Sequence, residues 1–236
     1  MSLYLLLNLT SFSIPFIYSF EKRMHYIQWW KEVLFSISIV ALFFLVWDII
    51  FTYLGYWGFN ATYLVGIDLL GLPIEEWLFF VCIPYASIFI HYAFQYFFPK
   101  VSLSLKVTNF ITISLILVII ILALTNYNKA YTFYNYIFLT ALLCYSYLTK
   151  NKQLPIFYIT FLIILIPFFV VNGILTGSFI EEQVVWYNDS ENLGIRLGTI
   201  PVEDVGYAFT LIFSSVVLIE KFKKSNLFFN VKKNML

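Results

Sequence analysis

Seven apolar runs follow one another along this chain, each close to the roughly 20 residues a helix needs to cross a bilayer. They cover residues 1–20, 32–51, 74–98, 107–124, 131–148, 155–175 and 201–220. A soluble domain cannot bury so many continuous apolar runs. Only 11% of the residues are charged, against roughly a quarter in soluble domains. The pattern predicts an all-α integral membrane protein with seven transmembrane helices. The stretch "MSLYLLLNLTSF" lacks the basic lead of a cleaved signal peptide and reads as the first span.

The connections carry the orientation. Twelve of the fourteen basic residues, among them Lys22, Arg23, Lys100, Lys150 and Lys221, fall on one side of the predicted spans, and only Lys129 and Arg196 on the other. Short loops rich in Lys and Arg stay in the cytoplasm, so the expected topology is N-terminus outside and C-terminus cytoplasmic, in the cell membrane. Ten of the thirteen acids lie toward the outer side. The basic end "KFKKSNLFFNVKKNML" is expected to rest on the anionic lipid surface. A net charge of +1 argues against a nucleic-acid partner. Cys82 and Cys144 sit in apolar runs as buried thiols, and no C-x-x-C or other metal-ligand spacing is present.

Two stretches break the rule that charge is avoided. "GLPIEEWLFF" places Glu75 and Glu76 at the start of the third span, and "GTIPVEDVGYAF" places Glu203 and Asp204 at the start of the seventh. The two are 128 residues apart, and the same offset carries the first three spans approximately onto the last three. The chain therefore reads as a parallel 3+1+3 helix repeat. Residues 1–100 form the first three-helix unit, 101–128 a connecting helix, and 129–236 the second unit with its basic tail. One inserted span leaves both units in the same orientation, as the loop charges require. Asp48 and Asn172 then match as polar residues near the outer ends of the second and sixth helices.

Proline followed by an acid is also an ordinary helix start, with the acid at the positive end of the helix dipole. Recurrence at matching positions, and a second acid each time, argue for more. Two adjacent carboxyls in a dehydrated setting do not both ionise easily, which leaves a proton donor beside a proton acceptor. Such a pair suits acid–base work on a lipophilic substrate. A carbocation formed there is stabilised by aromatic faces, for which Trp57, Trp77, Tyr85, Trp186, Tyr187 and Tyr207 are placed, although interfacial aromatic belts use the same residues. The site expected is thus Glu75, Glu76, Glu203 and Asp204 as catalytic groups, with Asp48, Asn172, Trp57, Trp77 and Tyr207 against the substrate and no metal.

The duplicated motifs, with the preceding "WGFNATYLVGIDLLG", resemble the lycopene cyclase domain family, the membrane-integral type, here with both halves in one chain. The resemblance implies cyclisation of the linear ψ ends of lycopene to β-ionone rings, giving γ-carotene and then β-carotene. It places the motif acids on Glu75, Glu76, Glu203 and Asp204. It implies a carotenoid substrate within the lipid bilayer and association with other enzymes of the same pathway. The reaction has no net redox change, and the chain has no G-x-G-x-x-G, so neither flavin nor nicotinamide is expected.

Related proteins cyclise C50 carotenoids or hydrate carotenoid ends, and both remain open. A small-solute transporter shares the 3+1+3 plan, but its path calls for more polar midplane residues. A retinal protein needs a lysine in the last span, and residues 201–219 contain none. His91 lies near the cytoplasmic end of the third span, about 24 Å from Glu75 at 1.5 Å per residue. Glu181, Glu182, Asp189 and Glu191 are expected in a solvated outer loop.

Overall fold

The computed structural model describes residues 2–225. Seven α-helices occupy them: α1 (Leu3–Tyr18), α2 (Trp30–Tyr53), α3 (Ile74–Phe97), α4 (Leu105–Thr125), α5 (Ala130–Leu148), α6 (Leu154–Leu175) and α7 (Glu203–Ser225). One helix falls in each predicted span. Five of them, α2, α3, α4, α6 and α7, are long and apolar enough to cross a membrane. The remaining two have physical reasons to fall short. With 16 residues α1 reaches only about 24 Å at 1.5 Å per residue. In α5, Thr132, Asn135, Thr140 and Ser146 lower the hydropathy, and all four are buried. Most of the predicted basic tail lies outside the described residues.

The centre of the bundle is α3 and α7, which pack on each other. Helix α1 lies along α3, and α5 lies along α7. The second and sixth helices exchange partners: α2 packs on α7 as well as α3, and α6 packs on α3 as well as α7. Helix α4 sits outside, mainly against α5, and is the least buried of the five long spans. These helices are apolar nearly all round, so their faces are told apart less by hydrophobicity than by the few polar side chains turned inward. Buried Asn8, Asp48, Glu75, Glu76, Asn135, Glu203 and Asp204 all lie near one end of the bundle.

That end carries six short strands. β1 (Trp57–Phe59) pairs antiparallel with β4 (Val185–Tyr187), which ties the α2–α3 connection to the α6–α7 connection. Two tight hairpins, β2 (Asp68–Leu69) with β3 (Leu72–Pro73) and β5 (Arg196–Leu197) with β6 (Ile200–Pro201), lead directly into α3 and α7. In the first, Leu70 and Gly71 turn the chain with φ of 54° and 81°, the paired positive angles of a two-residue hairpin turn. The motif prolines therefore close strands rather than occupy the first helical position. Pro73 is extended (φ −64°, ψ 146°) and caps α3, while Pro201 lies in β6, two residues before α7. Each hairpin is latched by a backbone bond beyond it, Ile74 N–H to Ile67 O at 2.8 Å and Val202 N–H to Ile195 O at 3.0 Å.

Candidate active site

The two motifs build nearly the same local structure. The Glu75 carboxylate accepts from the Ser2 hydroxyl at 2.7 Å and from the Val65 backbone N–H at 2.6 Å. Glu203 accepts from the Thr132 hydroxyl at 2.6 Å and from the Leu193 N–H at 2.7 Å. The backbone carbonyls of Glu75 and Glu203 accept from the side-chain amides of Asn8 (2.8 Å) and Asn135 (2.7 Å). Both glutamates are fully buried, and the second oxygen of each carboxyl has no hydrogen-bond partner. The first acid of each motif thus faces the incoming loop and the neighbouring helix.

The second acid of each motif turns elsewhere. Glu76 accepts from the hydroxyl of Tyr4 on α1 and lies against the carboxyl of Asp48 on α2. Asp204 accepts from Tyr131 on α5 at 2.5 Å and from Tyr187 on β4 at 3.1 Å. Neighbours in sequence are therefore not neighbours in chemistry. The facing carboxyls are Glu76 and Asp48, from two helices, rather than Glu75 and Glu76. Asp48 is held in turn by the Trp57 indole N–H at 2.5 Å and the Thr52 hydroxyl at 3.2 Å, both on Oδ1.

Glu76, Asp48 and Asp204 open onto one cavity of about 380 Å³, a size typical of small-molecule sites. Phe79, Phe80, Trp57, Tyr207, Ile212 and Phe168 are among its walls, and its surface is mostly apolar. It runs along α3 from Glu76 to Ile90, a distance of about 21 Å at 1.5 Å per residue. Its lining includes exposed Thr10 and Ile14 of α1 and exposed Pro167 of α6, so it reaches the outer surface of the bundle between these helices. No Lys or Arg among the described residues lines it. Tyr187 lies outside the helices. Burial, reinforced by the charge of Asp204, pushes its phenol well above the usual tyrosine range and keeps it a donor.

Of the residues expected at the site, Glu76, Asp204, Asp48, Asn172, Trp57 and Tyr207 all line this cavity. Glu75, Glu203 and Trp77 are not in its lining, and the Trp77 indole instead donates to Leu69 O at 3.2 Å. Tyr85 is paired with Ser19 at 2.7 Å, and the half-exposed Trp186 lies over Gly58. His91 is buried among Thr160, Gln153 and Gln95, away from the carboxyls. Glu181, Glu182 and Asp189 are exposed as expected, but Glu191 accepts from the Ala130 N–H at the start of α5. Cys82 is buried and Cys144 half-buried, both as free thiols. Sequence reasoning did not single out Tyr4, Tyr131, Asn8 and Asn135. A signal was there: "YLLLN" at 4–8 and "YTFYN" at 131–135 share a Tyr and an Asn four residues apart.

No curated protein and no solved structure matches this chain. A family model described as lycopene cyclase matches residues 1–94 and 128–222, most of the chain and both stretches that contribute carboxyls to the cavity. The chain belongs to the lycopene cyclase family.

Proposed function

We propose that this protein is a lycopene β-cyclase, converting the ψ ends of lycopene to β-ionone rings by proton transfer alone. The observation that carries the reading is the apolar, aromatic-walled cavity with Asp48, Glu76 and Asp204 gathered at one end. An acid there protonates C2 of the terminal olefin and leaves a tertiary cation at C1. The C5–C6 double bond attacks C1, the ring closes, and loss of the C6 proton places the double bond in the β position. One proton enters and one leaves, so the reaction needs no redox partner. The faces of Trp57, Phe80 and Tyr207 stabilise the cation without trapping it. Exclusion of water keeps the cation from being hydrated, which favours cyclisation over the hydratase chemistry of related proteins. The opening between α1 and α6 admits a long hydrocarbon from the bilayer.

In this reading the chain is a duplicated three-helix unit with α4 as connector. The matched hydrogen bonds around Glu75 and Glu203, the matched hairpins, and the two segments of family similarity support it. The carboxyl end of the bundle faces outward and the lysine-rich end faces the cytoplasm. Glu75 and Glu203 act by position: each pins its hairpin so that the following acid enters the cavity. The direct test is a proteoliposome assay with lycopene and no added flavin or nicotinamide. Appearance of γ- and then β-carotene is expected; lycopene recovered unchanged contradicts the proposal.

A further inference from the structure

The two halves offer their carboxyls to the cavity in different company. Glu76 lies against Asp48. The donors available to this pair are the Tyr4 hydroxyl on Glu76 and the Trp57 and Thr52 groups on Asp48 Oδ1, and Asp48 Oδ2 receives nothing from any other group. Two buried carboxyls in contact, with no cation lining the cavity, hold together only by sharing a proton. In the second half no carboxyl takes the place of Asp48; the corresponding cavity positions are Asn172 and Thr176. Asp204 instead receives one phenol on each oxygen, from Tyr131 and Tyr187. The guanidinium of Arg196 lies over the Tyr187 ring at 5.7 Å from its centroid, with its charge paired to Asp189. A donor on each oxygen is the arrangement that suits a carboxylate able to take a proton.

We infer that the halves are specialised: the Asp48–Glu76 pair delivers the proton, and Asp204, held by Tyr131 and Tyr187, takes one back. The inference rests on the cyclase reading. At the first half, the shared proton passes to C2 of the olefin and the pair becomes a dianion stabilised by Tyr4, Trp57 and Thr52. Ring closure follows, with the C1–C6 bond formed and the positive charge moved to C5. At the second half, Asp204 removes the C6 proton, the C–H electrons become the C5–C6 double bond, and a neutral acid remains. Asp204 gives this proton up to solvent and the pair takes one from it before the next turnover, which restores the starting state. Asp204 then sets the ring type, because its position decides which C–H beside the C5 cation is within reach.

The test separates proton delivery from proton removal. Lycopene is incubated in D2O with proteoliposomes of the wild type, Glu76→Gln, Asp48→Asn or Asp204→Asn, and both products and recovered substrate are analysed by mass and ring type. Asn at 204 keeps a carbonyl oxygen for one of the two tyrosines and turns its amide N–H to the hydroxyl oxygen of the other, and folding of each variant is followed by thermal melting. Wild type is expected to give β rings carrying one deuterium at C2. Asp204→Asn is expected to keep labelling C2, in recovered lycopene or in rings shifted from the β to the ε type. Glu76→Gln and Asp48→Asn are expected to lose the label at least about a hundredfold, the usual size of a general-acid contribution. A folded Asp204→Asn that leaves lycopene unlabelled, or one that still gives only β rings at the wild-type rate, overturns the assignment. So does a Glu76→Gln variant that still labels C2. A wild type that neither labels nor cyclises lycopene overturns the cyclase reading itself, whatever the variants do.

Discussion

Four acids stand in two adjacent pairs, and the fold separates each pair into two kinds of group. Glu75 and Glu203 receive a backbone N–H and a hydroxyl on one oxygen and leave the other buried and unpaired. Glu75→Gln keeps the accepting oxygen, so it is expected to retain most of the activity. Glu75→Ala strands the Val65 N–H and the Ser2 hydroxyl, both in part-buried bonds, so each costs less than the about 1–3 kcal/mol of a fully buried group left without a partner. A melting comparison of the two variants in detergent checks this; equal loss of activity in both, with unchanged melting, would make Glu75 a reacting group instead. The carboxyls were legible in the sequence because charge is so scarce in it. Their division of labour was not. Which way a side chain at the first turn of a helix points depends on the loop that folds back onto it, and the loop's backbone N–H groups leave no trace in residue identity. Asp48 shows the same limit: its place near the outer end of a span could be read, but its contact with Glu76 depends on how α2 packs on α3.

At the scale of elements, all seven helices could be found from apolar run length, since that signal does not need a preferred face. The strands could not. Each is two or three residues long, too short for alternation to register, and β1–β4 joins segments far apart in the chain. The α5–α7 contact is built around Gly206, where a Cβ would lie 3.2 Å from Leu139 and 3.5 Å from Tyr136. Gly206→Leu is expected to push the start of α7, and Asp204 with it, away from Tyr131. Overpacking of this kind costs roughly 1–3 kcal/mol, and activity should fall further than melting temperature does; wild-type turnover in Gly206→Leu would contradict the tight contact. The turn between β4 and β5 carries a weaker device. Burial alone would raise Asp189, but hydrogen bonds from Asn192 and Arg196 and the Arg196 charge outweigh it and hold the carboxyl below its ordinary value. The folded value being the lower one, the contact contributes in full above the unfolded value, about 3.9, and is lost as pH falls through the folded one. The Asp189 side chain is largely exposed, so the effect is local. Faster amide exchange at residues 188–196 on acidification is the expected result, and Arg196→Gln should weaken the pH dependence.

For the whole molecule, the separation of charge between its two ends is the basis of the proposed orientation. The hairpins, the β1–β4 ribbon and the buried acids Asp48, Glu75, Glu76, Glu203 and Asp204 share one end, and Lys22, Lys100, Lys150 and Lys221 share the other. Cysteine introduced at Phe179, which is almost fully exposed, should react with an impermeant reagent added outside intact cells, and one at Lys100 should not; the reverse pattern would invert the topology. A cavity that opens sideways toward lipid, has carboxyls at one end and aromatic walls along its length, and is lined by both halves of the chain matches a substrate that never leaves the membrane. The most direct measurement is pigment chromatography of a lycopene-accumulating bacterium expressing the wild type beside Glu76→Gln and Glu75→Gln. The wild type is expected to give γ- and β-carotene, Glu76→Gln lycopene alone, and Glu75→Gln cyclised pigment still. Lycopene left intact by a wild-type protein verified in the membrane would contradict the cyclase reading, and cyclisation that survives in Glu76→Gln would contradict the role given to Glu76.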